Sequence, residues 1–558
     1  MRLAAVLALL LLVPAAAQDA PLSGRALIDH HVRAKCDEIG LRPAGASSDA
    51  EFLRRVHLDL VGTIPSAEAA DRFIADRATD KRAKLVDELM ASDGFAENWG
   101  AIWTRALMSG GPTGEKRYGD TGRIAAAVRD RVAKNVPLDQ FAREIITATG
   151  KWEMSPQDKG MMQMSEDVDG LALFWFAAQG RAGRDFPLAI SQKFTRLFMG
   201  IQITCAQCHD HPFDRWTQDD AYAMGAFFTQ VSVQRTGGKT REEKVVLEIA
   251  DRSMQRGGKG QGAGLLIPDA GQPADDARRK VTGRVVKPSW LGSRETPAAD
   301  ATLRAEFARM LTSRSNVQFA RAAVNRYWAF LFGRGIVNPP DDFSGKNKPS
   351  HPELLEALAA DFVAHGYDVK WLVREIASSQ AYQRSSASGD RMGERQFALA
   401  AVRALTPEQI LNALAEATGV TYATQERDRI VQQFRTVFGD DEGTELVEFQ
   451  GTITAALMMM NGDIVTRATG GSAAGMKGKR PADGRMPAGR TSARLAEILK
   501  KHVPAEERVR AIFLTVLTRP PTERELSRHT EYVIENGEGG YADVMWALLN
   551  SSEFLFQH

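Results

Sequence analysis

The sequence predicts a mostly α-helical protein, a multi-helix chain of two domains with a small β insertion near residues 244–290. Three observations predict it. Apolar residues recur at helical spacing over most of the chain. Hydroxyl residues followed three positions later by Glu or Gln mark helix starts in the second half. Two short stretches, 245–250 and 281–287, read as strands, with a Gly-rich segment at 257–264 between them.

The first residues read as an address. Arg2 gives a positive start, residues 3–13 are an unbroken apolar run, Pro14 ends it, and Ala15, Ala16 and Ala17 precede Gln18. This is the pattern of a secretory signal peptide over residues 1–17. The run is far short of the ~20 residues a membrane span needs. No Cys stands at its cleavage site, and no later segment has the length and apolarity of a span. The expectation is an exported protein of the periplasm, cell envelope or exterior, with no membrane span after cleavage.

Composition narrows the rest. Of 558 residues, 44% are hydrophobic and 25% charged, the balance of an ordinary globular chain rather than a disordered, fibrous or polytopic membrane one. Lys and Arg number 71 against 70 Asp and Glu, and removing Arg2 makes them equal. Such a balance argues against nucleic acid as the partner. Three Cys are too few for a disulfide framework.

The elements follow in order. A first helical domain is expected over 24–235. Phe52, Val56, Leu58 and Leu60 precede a turn at Gly62–Pro65, Ser66 caps a helix to 78, and 81–91 form the next. Trp99, Trp103 and Leu107 recur at i, i+4 and i+8, a core stripe. Pro137 opens a helix carrying Phe141, Ile145 and Ile146. Residues 160–169 are Met-rich without periodicity. A helix over 186–203 leads into a Cys pair, and another is expected over 219–233 with Phe227 and Phe228. Residues 236–300 read as the β and Gly-rich insertion and linker. The Gly-rich stretch lacks the Gly-Lys-Ser/Thr ending of a phosphate loop. A C-terminal helical domain is expected over 301–558. It contains an apolar helix at 319–332, capping boxes Ser350–Glu353, Thr406–Gln409 and Thr522–Glu525, a disordered loop near 470–491, and closing helices over 492–557.

One segment carries chemistry, Cys205-Ala206-Gln207-Cys208-His209-Asp210-His211-Pro212-Phe213-Asp214-Arg215-Trp216. Cys-x-x-Cys-His is the attachment signal of c-type haem. Two thiols one turn apart can each add to a porphyrin vinyl group, and the adjacent imidazole then meets the iron. Cys205 and Cys208 are the candidate tethers and His209 the proximal ligand. Met199, Met224 and His57 are candidate distal ligands, with Met161, Met162 and Met164 behind them. Other readings stay open. Cys205 and Cys208 can form a disulfide, or serve a thioredoxin-like site if the context were βαβ. Zinc or another divalent metal can use Cys205, Cys208, His209 and His211, with Asp210 and Asp214 as further candidates; four ligands in so short a segment lack the spacer of a tetrahedral site, which leaves part of the cluster with a remote residue. Cys36 is left over as an unpaired thiol.

These residues, with others around them, resemble a known family. The segment from Phe52 through His57-Leu58-Asp59-Leu60 to Pro65, the stretch Asp80-Lys81-Arg82-Ala83-Lys84-Leu85, and Cys205 to Trp216 resemble the planctomycete-type cytochrome-like domain, a domain of unknown function numbered fifteen-forty-nine. The C-terminal half resembles its usual companion, numbered fifteen-fifty-three. The matching residues there are Ala323-Val324-Asn325-Arg326-Tyr327-Trp328, Gly333-Arg334-Gly335-Ile336-Val337, Ser350-His351-Pro352-Glu353-Leu354-Leu355, Leu517 to Thr522, and Ala547 to Leu555. The resemblance implies an exported cytochrome-like protein, whose relatives often occur in bacteria with large sets of secreted sulfatases and glycan-degrading enzymes. It supplies no activity.

The leading expectation is an exported c-type haem protein with an electron-transfer role, linked to glycan degradation. Its partner would be a redox protein or a carbohydrate-processing system. One alternative is a metal-dependent hydrolase or carbohydrate-active enzyme that uses the Cys/His/Asp cluster. The other is a non-enzymatic envelope interaction module with a Cys205–Cys208 disulfide. In the second domain Asn325, Arg326, Trp328, Asp341, Asp342, His351 and Asp361 fall on family motif positions, and Arg334 with Asp342 is an expected structural ion pair. Gly-x-Ser-x-Gly is absent and no catalytic triad is spelled out.

Overall fold

The computed structural model describes residues 22–108, 121–154, 169–182, 186–237, 245–251, 264–268, 282–298, 301–387, 391–423, 426–427, 429–431, 433 and 492–557. The signal segment 1–17, Met161, Met162, Met164, residues 257–263 and the loop at 470–491 lie outside them.

The chain opens with α1 (Gly24–Glu38), α2 (Asp49–Val61), α3 (Ala67–Ala75), α4 (Lys81–Ala91), α5 (Asp93–Met108), α6 (Thr121–Ala133) and α7 (Leu138–Thr147). The side chains of Ser48 and Ser66 accept from the Glu51 and Ala69 amides and start α2 and α3. Gly62, left-handed at φ 71°, ends α2. The α3 helix stops at Ala75 rather than 78, because Asp76 turns extended and its carboxylate accepts from Ala78 N at 2.9 Å. Trp99, Trp103 and Leu107 lie on the buried face of α5, as their spacing predicts.

Strand β1 (Gly150–Met154) follows, then α8 (Gly170–Ala182), α9 (Phe186–Met199), a 3₁₀ turn at Thr204–Gln207, and α10 (Gln218–Ala226). The expected helix over 219–233 ends early. Val231 and Val233 instead enter β2 (Val231–Gly237), opposite Asp251 and Ile249 of β3 (Val245–Asp251). Two β-branched residues in alternation fit a strand once a partner is present. The antiparallel sheet runs β1-β3-β2. A hairpin of β4 (Leu265–Pro268) and β5 (Gly283–Val286) packs on α9 and α10, Ile267 joining Leu188 of α9 and Tyr222 of α10. The β insertion is therefore present, its sheet extended by β1 and β2 from outside 244–290.

The second half holds α11 (Leu303–Leu311), α12 (Val317–Phe332), α13 (Pro352–Ala364), α14 (Val369–Ser378), α15 (Arg391–Arg395), β6 (Arg403–Ala404) and α16 (Pro407–Thr418). It closes with α17 (Ala493–Lys501), α18 (Ala505–Leu517), α19 (Glu523–Leu549), α20 (Ser552–Leu555) and β7 (Phe556–Gln557). The capping boxes at Thr406–Gln409 and Thr522–Glu525 form as expected. The Ser350–Glu353 box does not. Pro352 takes the first helical position, which makes His351 the cap residue, and Ser350 Oγ donates to Ile336 O at 3.2 Å.

One hydrophobic core runs from Leu27 to Ala398, so helices on both sides of the β insertion bury one another. A second core joins Leu405 through Phe554 with Leu58 and Ile64. Helix α2 serves both. Arg54 is buried and donates to Val516 O at 3.2 Å and Phe554 O at 2.8 Å. Arg55 donates to Tyr382 O at 2.7 Å and Arg384 O at 2.9 Å.

Candidate functional site

The Cys turn is built on the end of α9. That helix is anchored by a cluster of rings. Phe194 lies 5.7 Å from Phe174, 5.9 Å from Trp175 and Phe228, and 6.0 Å from Phe198, centroid to centroid. Gly200 then reverses the chain at φ 62° and its carbonyl accepts from Phe343 N at 2.8 Å. A Cβ at Gly200 would stand 2.6 Å from Phe343 Cδ2. Both the positive φ and the close ring require glycine here. Gly200→Ala is expected to loosen the junction and cost about 1–3 kcal/mol. Urea melts check this, with faster thiol labelling at Cys205 and Cys208 as the local sign.

The turn itself has one buried anchor, Ala206, whose amide donates to Ile203 O at 3.1 Å. Cys205 and Cys208 flank it as free, exposed thiols. His209 is exposed, and its Nδ1 lies 2.7 Å from Asp210 O. A carbonyl can only accept, so Nδ1 carries a proton, and in the neutral ring Nε2 is the nitrogen with the lone pair. That is the arrangement by which a metal-binding histidine is oriented.

The following residues tie the turn to α10. Asp210 Oδ1 accepts from Gln218 N at 2.9 Å, and Gln218 Nε2 donates to Gln207 O at 3.0 Å. His211 N donates to Trp216 O at 2.8 Å, and His211 Nδ1 accepts from Phe213 N at 3.3 Å. Asp214 Oδ1 accepts from Arg215 N at 2.8 Å. Thr217 and Asp220 form a reciprocal capping box that starts α10. The Arg284 guanidinium on Asp219 holds that carboxyl below the usual range. Among the described residues, no three His, Cys, Asp or Glu side chains stand together as a metal-binding group.

The distal candidates lie elsewhere. Met199 and Met224 are buried in the first core. His57 is on α2, its Nε2 buried with no hydrogen-bond partner among the described residues. Cys36 is buried in α1. Met199, Met224 and Cys36 are buried and His57 is half-buried, whereas His209 is exposed.

The motif residues of the second half are engaged in structure. Asn325 is fully buried and clamps Val337, donating to its O and accepting from its N, both at 2.8 Å. Trp328 stacks on Phe332 at 4.3 Å. Arg326 donates to Leu197 O at 3.3 Å. Asp341 pairs with Arg196 of α9, while Asp342 Oδ1 accepts from Ser344 N at 3.1 Å. His351 is buried beside Phe397. Asp361 accepts from Ser23 Oγ at 2.9 Å and Gly24 N at 2.7 Å, tying down the start of α1.

Sequence reasoning named Asp341 and Asp342 but missed where their loop, between α12 and α13, goes. It reaches the Cys turn through Asp341, Phe343 and Lys346, whose Nζ lies 3.2 Å from the Phe213 ring centroid. The glycine after α9 was the one local signal of a close approach.

Comparison with known proteins adds the following. A family model described as a protein of unknown function, PSCyt2 (DUF1549), matches residues 27–233. A second, PSD1, also of unknown function (DUF1553), matches residues 303–435. No curated protein and no solved structure matches the chain. The first match contains the whole Cys turn, and the second contains the loop that packs on it. The chain belongs to the proteins that pair an N-terminal PSCyt2 domain with a C-terminal PSD1 domain.

Proposed function

We propose that this chain is an exported c-type haem protein that transfers electrons, with Cys205 and Cys208 as the covalent tethers and His209 as the proximal ligand. One observation carries the reading. Two free, exposed thiols flank a single buried alanine, and the imidazole that follows is oriented by Asp210 O with Nε2 left for a metal. The donor set fits a c-type haem. When bound, that group supplies one-electron chemistry, with a potential set by its axial ligands and surroundings.

The chain's own part is orientation. The hydrogen bonds of Gln218 hold the turn against α10, and Arg196 with Asp341 holds the end of α9. The apolar start of the sequence supports export, where c-type haem is attached. A redox protein is the fitting partner, and the family resemblance points to glycan breakdown as the setting. Among the described residues, no helix is long and apolar enough to cross a membrane.

His209→Ala is expected to abolish the normal haem spectrum while leaving a covalent adduct on the two thiols. Cys205→Ser with Cys208→Ser is expected to leave no covalent haem. Absorption spectra and intact mass of the exported variants check both. An unchanged spectrum in His209→Ala defeats the ligand assignment. Stoichiometric zinc without iron favours the hydrolase reading instead.

A further inference from the structure

Beside the Cys turn lies a surface that neither half forms alone. Phe213 is 63% exposed, a large apolar ring left in water on the turn that carries the thiols. The Lys346 ammonium covers its face at 3.2 Å from the centroid. Lys346 comes from the PSD1 half, and among the described residues no carboxylate pairs with it.

Its position is fixed by its loop. Phe343 N is bonded to Gly200 O, Asp341 is paired with Arg196, and Asn347 Nδ2 donates to Asp342 O at 3.0 Å. Charges on the segment around Phe213 are engaged locally. Asp210 and Asp214 accept from backbone amides, Asp219 holds Arg284, and Arg215 lies over the Trp216 ring. A cation resting on an exposed ring is held less tightly than one on a carboxylate. Lys346 is therefore poised to exchange the ring for an arriving anion, and the exchange uncovers the ring.

We propose that Phe213 and Lys346 bind the face and a carboxylate of a porphyrin, so that the PSD1 half completes a site begun by the PSCyt2 half. A flat apolar macrocycle with carboxylates on its edge needs an apolar face and a cation close together. This surface offers both, with Phe213 on the segment that directly follows Cys205 and Cys208 in the chain. The proposal rests on the haem reading above and adds to it a second set of residues from the other half.

The test uses the full chain produced without haem. Protoporphyrin IX and its dimethyl ester are titrated by fluorescence against the unaltered protein, Lys346→Glu and Phe213→Ala. Lys346→Glu is expected to weaken the diacid at least tenfold and leave the ester unchanged. Phe213→Ala is expected to weaken both. Lys346→Gln, which removes the charge without adding one, serves if the Glu variant does not fold. Equal diacid binding by the unaltered protein and the Lys346 variants overturns the proposal, as does no porphyrin binding at all. Failure of the haem reading is seen separately, as absence of covalent haem in the exported protein. A chain that carries haem while its Lys346 variants bind the diacid normally loses only this inference.

Discussion

Replacing Arg403 by Ala is expected to destabilise the fold by about 3–5 kcal/mol, because it strands a buried carboxylate. Asp59 of α2 is 2% exposed at its side chain and Arg403 of β6 is 9% exposed. Arg403 Nη2 donates to both Asp59 oxygens, at 2.9 and 3.0 Å, and Nη1 donates to Phe330 O at 2.8 Å. Tyr382 OH donates to Asp59 Oδ2 at 2.6 Å. This network joins helices from the first and second halves to the short strand that holds the chain's end. Without the guanidinium, the Tyr382 hydroxyl is the remaining side-chain donor to Asp59 in the network. Changing both charged partners, Asp59→Leu with Arg403→Met, is expected to recover much of the loss, since neither charge then stays unpaired. Urea unfolding of the two single variants and the double measures this. An Arg403→Ala protein within about 1 kcal/mol of the parent would contradict the account of the network.

Acidification from about pH 6.5 to 4 is expected to remove on the order of 3 kcal/mol for each of two histidines, His351, which is buried, and His57, which is half-buried with its Nε2 enclosed. Burial pushes His57 and His351 down to about 4. In each, Nε2 is buried with no hydrogen-bond partner among the described residues. The sign follows from proton counting. Between pH 4 and 6.5 the unfolded chain protonates these rings and the folded chain does not, so stability is full above about 6.5 and falls as pH drops. His31 and His529 shift in the same direction, also from burial. Glu525 behaves differently. Arg519 holds it down at about 2, so its contribution is lost only below the ordinary carboxylate range. Unfolding free energies at pH 7 and 4.5 should show a slope that flattens in the His57→Asn, His351→Asn double variant. A slope unchanged in that variant would place the acid sensitivity elsewhere.

The parts of this protein legible in sequence were those set by neighbours in the chain. Helix α4 occupies the expected 81–91, and the boxes at Thr406 and Thr522 form because both partners lie within one turn. The Cys turn was visible for the same reason, since Cys205, Cys208 and His209 lie within five residues of one another, and each is exposed. What was not legible depends on distant partners. Strand β1 exists because Gly150–Met154 pairs with Val245–Ile249, nearly a hundred residues on. Residues 231–233 leave the helical pattern of α10 because β3 pairs with them. Ser350 fails as a cap because Pro352 moves the helix start. Arg196 and Asp341 meet across 145 positions, and neither residue's local pattern points to the other. Nothing local identified Lys346 as the neighbour of Phe213.

The most direct measurement is a pyridine haemochrome spectrum with intact mass, on the full chain exported in a host that makes c-type cytochromes. A c-type spectrum, and a mass raised by one haem over the chain cleaved after Ala17, is the expected result. A mass equal to the bare polypeptide, with Cys205 and Cys208 recovered as thiols, as a disulfide or on zinc, would contradict it.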